Sequence, residues 1–263
     1  NFKSWMQHYI DQANYIKENN IVATEDVELM WNKYYTNNPE SLLDNTRDRD
    51  IIEPLLSALW NQDDPYNLLC PEDEDGPGGN VYVGCVATAM SMIMHYWRYP
   101  ETGTGSYSYY QYPYGVISAD FSAATYEWDA MQDQIAYNNP WEIAEIGFHA
   151  AVSVQMNFSP DGSGSYSWDV PSALTDHFGY SSSAQYIEKS NYSTSAWEGF
   201  LQSEINNGHP LYYSGYSSDG GHAFVCDAYE GSNYYHFNFG WSGSGNGFYS
   251  LQDVGGFSGG QGI

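Results

Sequence analysis

Two residues far apart in this chain are of the types that form a nucleophile and its base. Cys85 follows Gly84 and precedes Val86, Ala87 and Thr88, a run that reads as the first turn of a helix. Unpaired backbone N–H groups and the helix dipole favour an anion at such a start, so the thiol is expected to ionise more readily than a free cysteine. A buried, inert cysteine is the competing reading of the same residue. His222 follows Asp219, Gly220 and Gly221 and opens the apolar run AFVCDAY. Its ring is expected at a strand edge beside a flexible turn, where an imidazole can reach across a cleft as general base and acid. Asn238 lies 16 residues beyond His222, in HFNFGW, and an Asn carbonyl can fix the orientation of an imidazole. Acyl transfer also needs a donor aimed at the developing oxyanion. The Cys85 backbone N–H supplies one, and the side-chain amide of Gln62, in WNQDDPYN, is the candidate for a second.

Composition narrows what such a site could act on. The 263 residues carry 7 Lys and Arg against 33 Asp and Glu, a formal charge of −26. That balance repels phosphate backbones and anionic headgroups, so neither a nucleic-acid partner nor electrostatic membrane docking is expected. Charged residues make up 15% and hydrophobic ones 42%, so the chain should fold. No apolar run approaches the roughly 18 residues of a membrane span. The sequence opens at Asn1 without a basic-then-apolar leader, and secretion is inferred from the abundance of Tyr, Trp, Gly, Ser and Asn.

The elements that must position these residues divide the chain near residue 50. Residues 1–49 read as a small helical segment, with Trp5, Tyr9, Ala13 and Ile16 at helical spacing, followed by a polar linker. A short apolar helix is expected over IIEPLLSALW, a buried one over GCVATAMSMIMHYW, and further helices over about 140–154, 170–178 and 195–206. The last third changes to short aromatic and β-branched runs separated by DGG, EGSN and SGSGNG, the pattern of an antiparallel meander. Helices first and sheet last make an α+β fold of two segregated layers. Glu72 to Asp75 read as a solvated acidic loop, and the other histidines show no metal spacing, so no metal is assigned. Cys70 and Cys226 are either a disulfide that leaves Cys85 free or two separate buried thiols.

The order Cys85, His222, Asn238 is that of papain-like peptidases, and longer blocks make the likeness specific. PLLSALWNQDDPYNLLCP, GCVATAMSMIMHYWRYP, AVSVQMNFSPDGSGS, GGHAFVCDAYEGSNYYHFNFGWSGSGNGFYSL and GGFSGG together resemble the streptopain family of secreted bacterial cysteine peptidases. The resemblance implies a papain-like two-lobe fold, with the nucleophile on a helical N-terminal lobe and the His on a β-sheet C-terminal lobe. It places Cys85 at the nucleophile, His222 at the base, Gln62 at the oxyanion donor and Asn238 near the imidazole, with Trp241 shielding the ring from water. Phe239 stands where the family has Trp, as part of an apolar wall on the substrate side. Tyr216 falls where the family lines its S2 pocket with a smaller aliphatic residue, which implies a narrower or more polar pocket. Ser163, Gly164, Gly221 and the Gly255–Gly256 turn correspond to backbone bordering the cleft. The family is made as a zymogen, so residues 1–49 resemble the end of an inhibitory pro-segment and 50–263 the peptidase domain. Protein or peptide substrates, no cofactor, and a monomer after maturation complete the expectation. A catalytically inactive peptide- or glycan-binding module and a transglutaminase-type acyl transferase are the alternatives.

Overall fold

The computed structural model describes residues 51–135, 140–231 and 233–262, together with Lys17. The chain divides into two compact units, Asn1–Arg49 and Asp50–Ile263. The helices and linker expected within residues 1–49 lie outside the described residues, apart from Lys17.

The second unit is built around one helix. Cys85–Trp97 (α1) starts after Gly84, whose φ of 95° lies in the region that favours glycine. A Cβ there would also come within 2.6 Å of the Met156 side chain, so the sharp corner that presents Cys85 depends on Gly84. All ten residues from Val86 to His95 are buried. A helix that is apolar on every side belongs in the centre of a fold, and α1 is covered by helix Trp141–Ser153 (α2) and by the sheet.

After the hairpin Ser106–Gln111 (β2) and Gly115–Asp120 (β3), the chain adds helix Val170–Phe178 (α3), the short strand Ile187–Glu188 (β4) and helix Thr194–Asn206 (α4). The expected meander follows as Leu211–Ser217 (β5), Gly220–Glu230 (β6), Tyr234–Asn238 (β7) and Gly247–Ser250 (β8), and Ser258–Gly262 (β9) then pairs with β5. All pairings in this sheet are antiparallel. Strand β6 is buried from His222 to Tyr229, and its side chains alternate between two cores. Ala223 and Val225 join the helical core with Met90 and Met92, whereas Phe224 and Cys226 join a second core with Trp197, Tyr213 and Phe237. The strand's period of two thus fixes it between the lobes.

Two expectations change. Residues 51–60 form no helix: Ile51–Ile52 (β1) pairs with β6, and the chain then runs irregularly. Its donors go to tertiary partners instead of a helical ladder: Leu55 N–H to the Asp227 carbonyl at 3.2 Å, Leu56 N–H to Asp227 Oδ2 at 2.9 Å, and Leu59 N–H to the Asp133 carbonyl at 2.6 Å. The three cysteines are free thiols, with Cys70 in the helical core and Cys226 in the sheet core. Of the two readings of this pair, the separate buried thiols hold, because opposite faces of the sheet keep them apart.

Asp227 is fully buried and also bonds His236 Nδ1 at 2.6 Å. Asp227→Ala is expected to cost about 3–5 kcal/mol of stability, since it orphans both the imidazole and the Leu56 N–H. Urea unfolding followed by tryptophan fluorescence checks this, and an unchanged midpoint refutes it.

Candidate active site

Helix α1 packs on β6, so the start of one meets the start of the other. The Ala223 backbone N–H, immediately after His222, favours the ionised form of the Cys85 thiol. Cys85 and Val86, together with Gly221, His222 and Ala223, line one side of a cleft of about 410 Å³. Its remaining walls come from Asn157, the 163–168 loop and Ser214–Tyr216 of β5.

His222 is buried, and its Nε2 lies 2.8 Å from the Phe239 carbonyl. A carbonyl only accepts, so Nε2 carries the proton and Nδ1 is left to exchange one with a neighbour. Trp241 stacks on the ring with centroids 4.5 Å apart and planes 21° apart. Phe224, Phe239 and Phe257 enclose it further, at centroid distances of 5.7, 6.2 and 5.4 Å.

Two predicted residues stand elsewhere than expected. Asn238 does not touch the imidazole: its amide donates to the Ala58 carbonyl at 2.8 Å, and its Oδ1 accepts from Gly240 N–H at 3.2 Å. Those bonds hold the 238–240 corner against the 58 segment, so Asn238 positions the Phe239 carbonyl, and that carbonyl orients the ring. Phe239 is only 1% exposed and lies behind His222, so its ring supports the imidazole from the core and forms no wall of the cleft. The Gly255–Gly256 turn also lies away from the cleft lining, and a Cβ at Gly255 would meet the Phe239 ring at 3.0 Å.

Of the other predicted residues, Ser163, Gly164, Tyr216 and Gly221 all line the cleft. Gln62 sits beside the approach to the helix, its carbonyl accepting from Val83 N–H at 3.0 Å, and it is not among the cleft-lining residues. Trp241 also lies outside the lining, over the imidazole. Sequence reasoning missed Tyr166 and Trp168, two exposed rings on the cleft wall. The available signal was SYSWD, two large aromatics spaced by two in a segment otherwise made of small residues.

Charge in the cleft differs from the expectation for a bare helix start. Burial pushes the Cys85 thiol above its ordinary pKa, against the opposing pull of the Ala223, Val86 and Cys85 N–H groups. Burial also lowers His222 to about 4, partly offset by its bond to the Phe239 carbonyl. Desolvation of each charged form therefore outweighs the backbone dipoles. A proton moved from sulfur to imidazole creates two opposite charges together, whose attraction reduces the cost that either would bear alone.

Among the described residues, no group of three or more His, Cys, Asp or Glu side chains is placed to hold a metal ion, and no helix is long and apolar enough to cross a membrane. His95 faces Asp133, His149 the Tyr126 hydroxyl, and His209 Glu204.

A central helix opening with cysteine against a curled antiparallel sheet that carries histidine is the papain-like architecture. The structure of active wild-type interpain A, a cysteine protease of Prevotella intermedia, matches with a TM-score of 0.73 and 34% identity, covering 81% of this chain and 94% of that one. A prointerpain A fragment from the same organism matches with a TM-score of 0.73 and 30% identity over 92% of this chain and 84% of its own. The model of the peptidase C10 family matches residues 60–249, and the chain belongs to that family. Streptopain of Streptococcus pyogenes is 32% identical over 95% of this chain and 64% of its own length. The thiol protease/hemagglutinin PrtT of Porphyromonas gingivalis is 38% identical over 73% of this chain and 23% of its own. The chain thus spans slightly less than two thirds of the streptopain sequences it matches.

Proposed function

We propose that this chain is a cysteine endopeptidase that cleaves protein substrates through Cys85 and His222. The observation that carries the reading is their meeting in one cleft, with the Phe239 carbonyl setting the imidazole tautomer. Sulfur attacks the peptide carbonyl while its proton passes to His222 Nδ1. The oxyanion meets the backbone N–H at the helix start and the Gln62 amide. His222 then protonates the leaving amine, a thioester remains on Cys85, and water hydrolyses it with the imidazole as base.

The inference extends to a zymogen. The prointerpain fragment aligns with 92% of this chain against 81% for active interpain, which supports reading residues 1–49 as the end of a pro-segment. Secretion, and a monomeric mature form, complete the reading.

An epoxide thiol trap tests it. Native protein is expected to take one label, on Cys85, while the buried Cys70 and Cys226 stay unlabelled until denatured. Absence of label from Cys85 in native protein freed of residues 1–49 overturns the reading.

Acidity gives a second test. The active pair holds one proton between Sγ and Nδ1, and either a second proton or loss of the first stops turnover. Burial disfavours the imidazolium, so the acid limb of kcat/KM is expected below 6.5, toward about 4. Burial disfavours the lone thiolate, so the alkaline limb lies above the ordinary cysteine value. A narrow bell centred near 6.5 contradicts this assignment.

A further inference from the structure

Gln62 is held at both of its backbone groups. Its carbonyl accepts from Val83 N–H at 3.0 Å, and its N–H donates to Asn61 Oδ1 at 2.8 Å. With both fixed, the side-chain amide can swing only about its own bonds. The other end of the Asn61 amide reaches far along the chain, where Nδ2 donates to Ser242 Oγ at 3.1 Å. Ser242 in turn donates its backbone N–H to the Trp60 carbonyl at 3.1 Å. Two crossed bonds therefore fasten the 60–62 segment to the turn that follows Trp241. Leu59 packs on the same turn, so closely that a Cβ on Gly243 would meet its side chain at 3.3 Å. Trp241 is the ring stacked on His222.

Ser242 keeps its place against its own backbone preference. Its φ of 52° lies in the left-handed region, where a side chain crowds the chain and glycine is least strained. Gly240, Gly243 and Gly245 beside it also have positive φ, and Ser242 is the exception. Glycine would preserve the bond from the backbone N–H to Trp60, so that bond does not account for a serine. What serine adds is Oγ, and the partner of Oγ is Asn61. A strained residue persists where its surroundings require it.

We infer that Asn61 and Ser242 are positioning residues that register the Gln62 amide against the imidazole under Trp241, so that oxyanion donor and general acid meet one substrate carbonyl in fixed relation. This rests on the peptidase reading above, with Gln62 as second oxyanion donor. Neither Asn61 nor Ser242 lines the cleft, so both act through Gln62 and Trp241. A donor stabilises the developing charge only at hydrogen-bond distance, and a displacement of about 1 Å can cost about 10²-fold in rate.

The test is a double-mutant cycle read as kcat and KM on one peptide substrate. Asn61→Ala is expected to lower kcat about 10- to 100-fold with KM little changed. In the Gln62→Ala background the same substitution should lower it less than about 3-fold, because the placement of an amide cannot matter once the amide is gone. Ser242→Ala and Ser242→Gly should each lower kcat about 3- to 10-fold, although the glycine variant, relieved of left-handed strain, unfolds at the higher temperature of the two. A loss due only to a weaker fold would follow the unfolding midpoint instead. If Asn61→Ala fails to fold, the two Ser242 variants decide alone. Asn61→Ala at the parent rate, an equal loss with and without the Gln62 amide, or a Ser242→Gly protein with the parent kcat overturns the strap. Gln62→Ala within a few-fold of the parent removes the oxyanion assignment and the strap with it. A failed peptidase reading shows separately, as a parent with neither turnover nor Cys85 label.

Discussion

Cys85→Ala is expected to abolish cleavage of casein, with a fall in kcat on the order of 10⁶-fold, the scale of removing the nucleophile from a unit that works as one. Without Sγ no thioester can form, and the remaining N–H groups could at most polarise a carbonyl toward water. The fold should survive. Cys85 stands at the first turn of α1, its neighbours from Val86 onward make the buried contacts, and alanine suits a helix start without strain. Casein digestion and the unfolding midpoint, measured on the same preparation, check both halves. Proteolysis retained in this variant would remove Cys85 from its role, and loss of the fold would show that the residue is needed for packing.

Gln62→Ala is expected to lower kcat by about 10²- to 10³-fold with little change in KM, the signature of a donor used only when the oxygen becomes negative. The bond that places Gln62 runs from Val83 N–H to its backbone carbonyl and is kept by alanine, so only the amide is lost. Steady-state kinetics on a peptide substrate measure the split. A rate within a few-fold of the parent would move the second donor elsewhere. A rise in KM alone would make Gln62 a contact of the resting substrate.

Much of the architecture is legible in the order of residues. The run from Val86 to His95 has no polar face, and the structure buries all of it. The aromatic and β-branched runs from Leu211 onward alternate with glycine turns, and they pair as successive antiparallel strands. Both signals are local, since hydrophobic periodicity reflects a surface that each segment must bury by itself. Residues 51–60 show where this stops. Their apolar character resembles a helix, but Asp227 and Asp133, far along the chain, take their N–H groups.

At the site, residue types and order pointed to Cys85, His222 and the glycine-rich loop, which the structure brings to one cleft, because nucleophile and base chemistry is a property of side chains. Which group orients the imidazole was not open to such reading. The Phe239 carbonyl belongs to the backbone and leaves no trace in residue identity, and Asn238 acts one step behind it through Ala58 and Gly240. The direction of the Cys85 and His222 shifts also emerges only on folding, when desolvation by both lobes exceeds the pull of a helix start. Residue order alone names the atoms that could react and most of the segments that must be buried. What surrounds those atoms is settled by tertiary packing, because the hydrogen bonds that set the site join residues from 17 positions apart, as His222 and Phe239, to 180 apart, as Asn238 and Ala58.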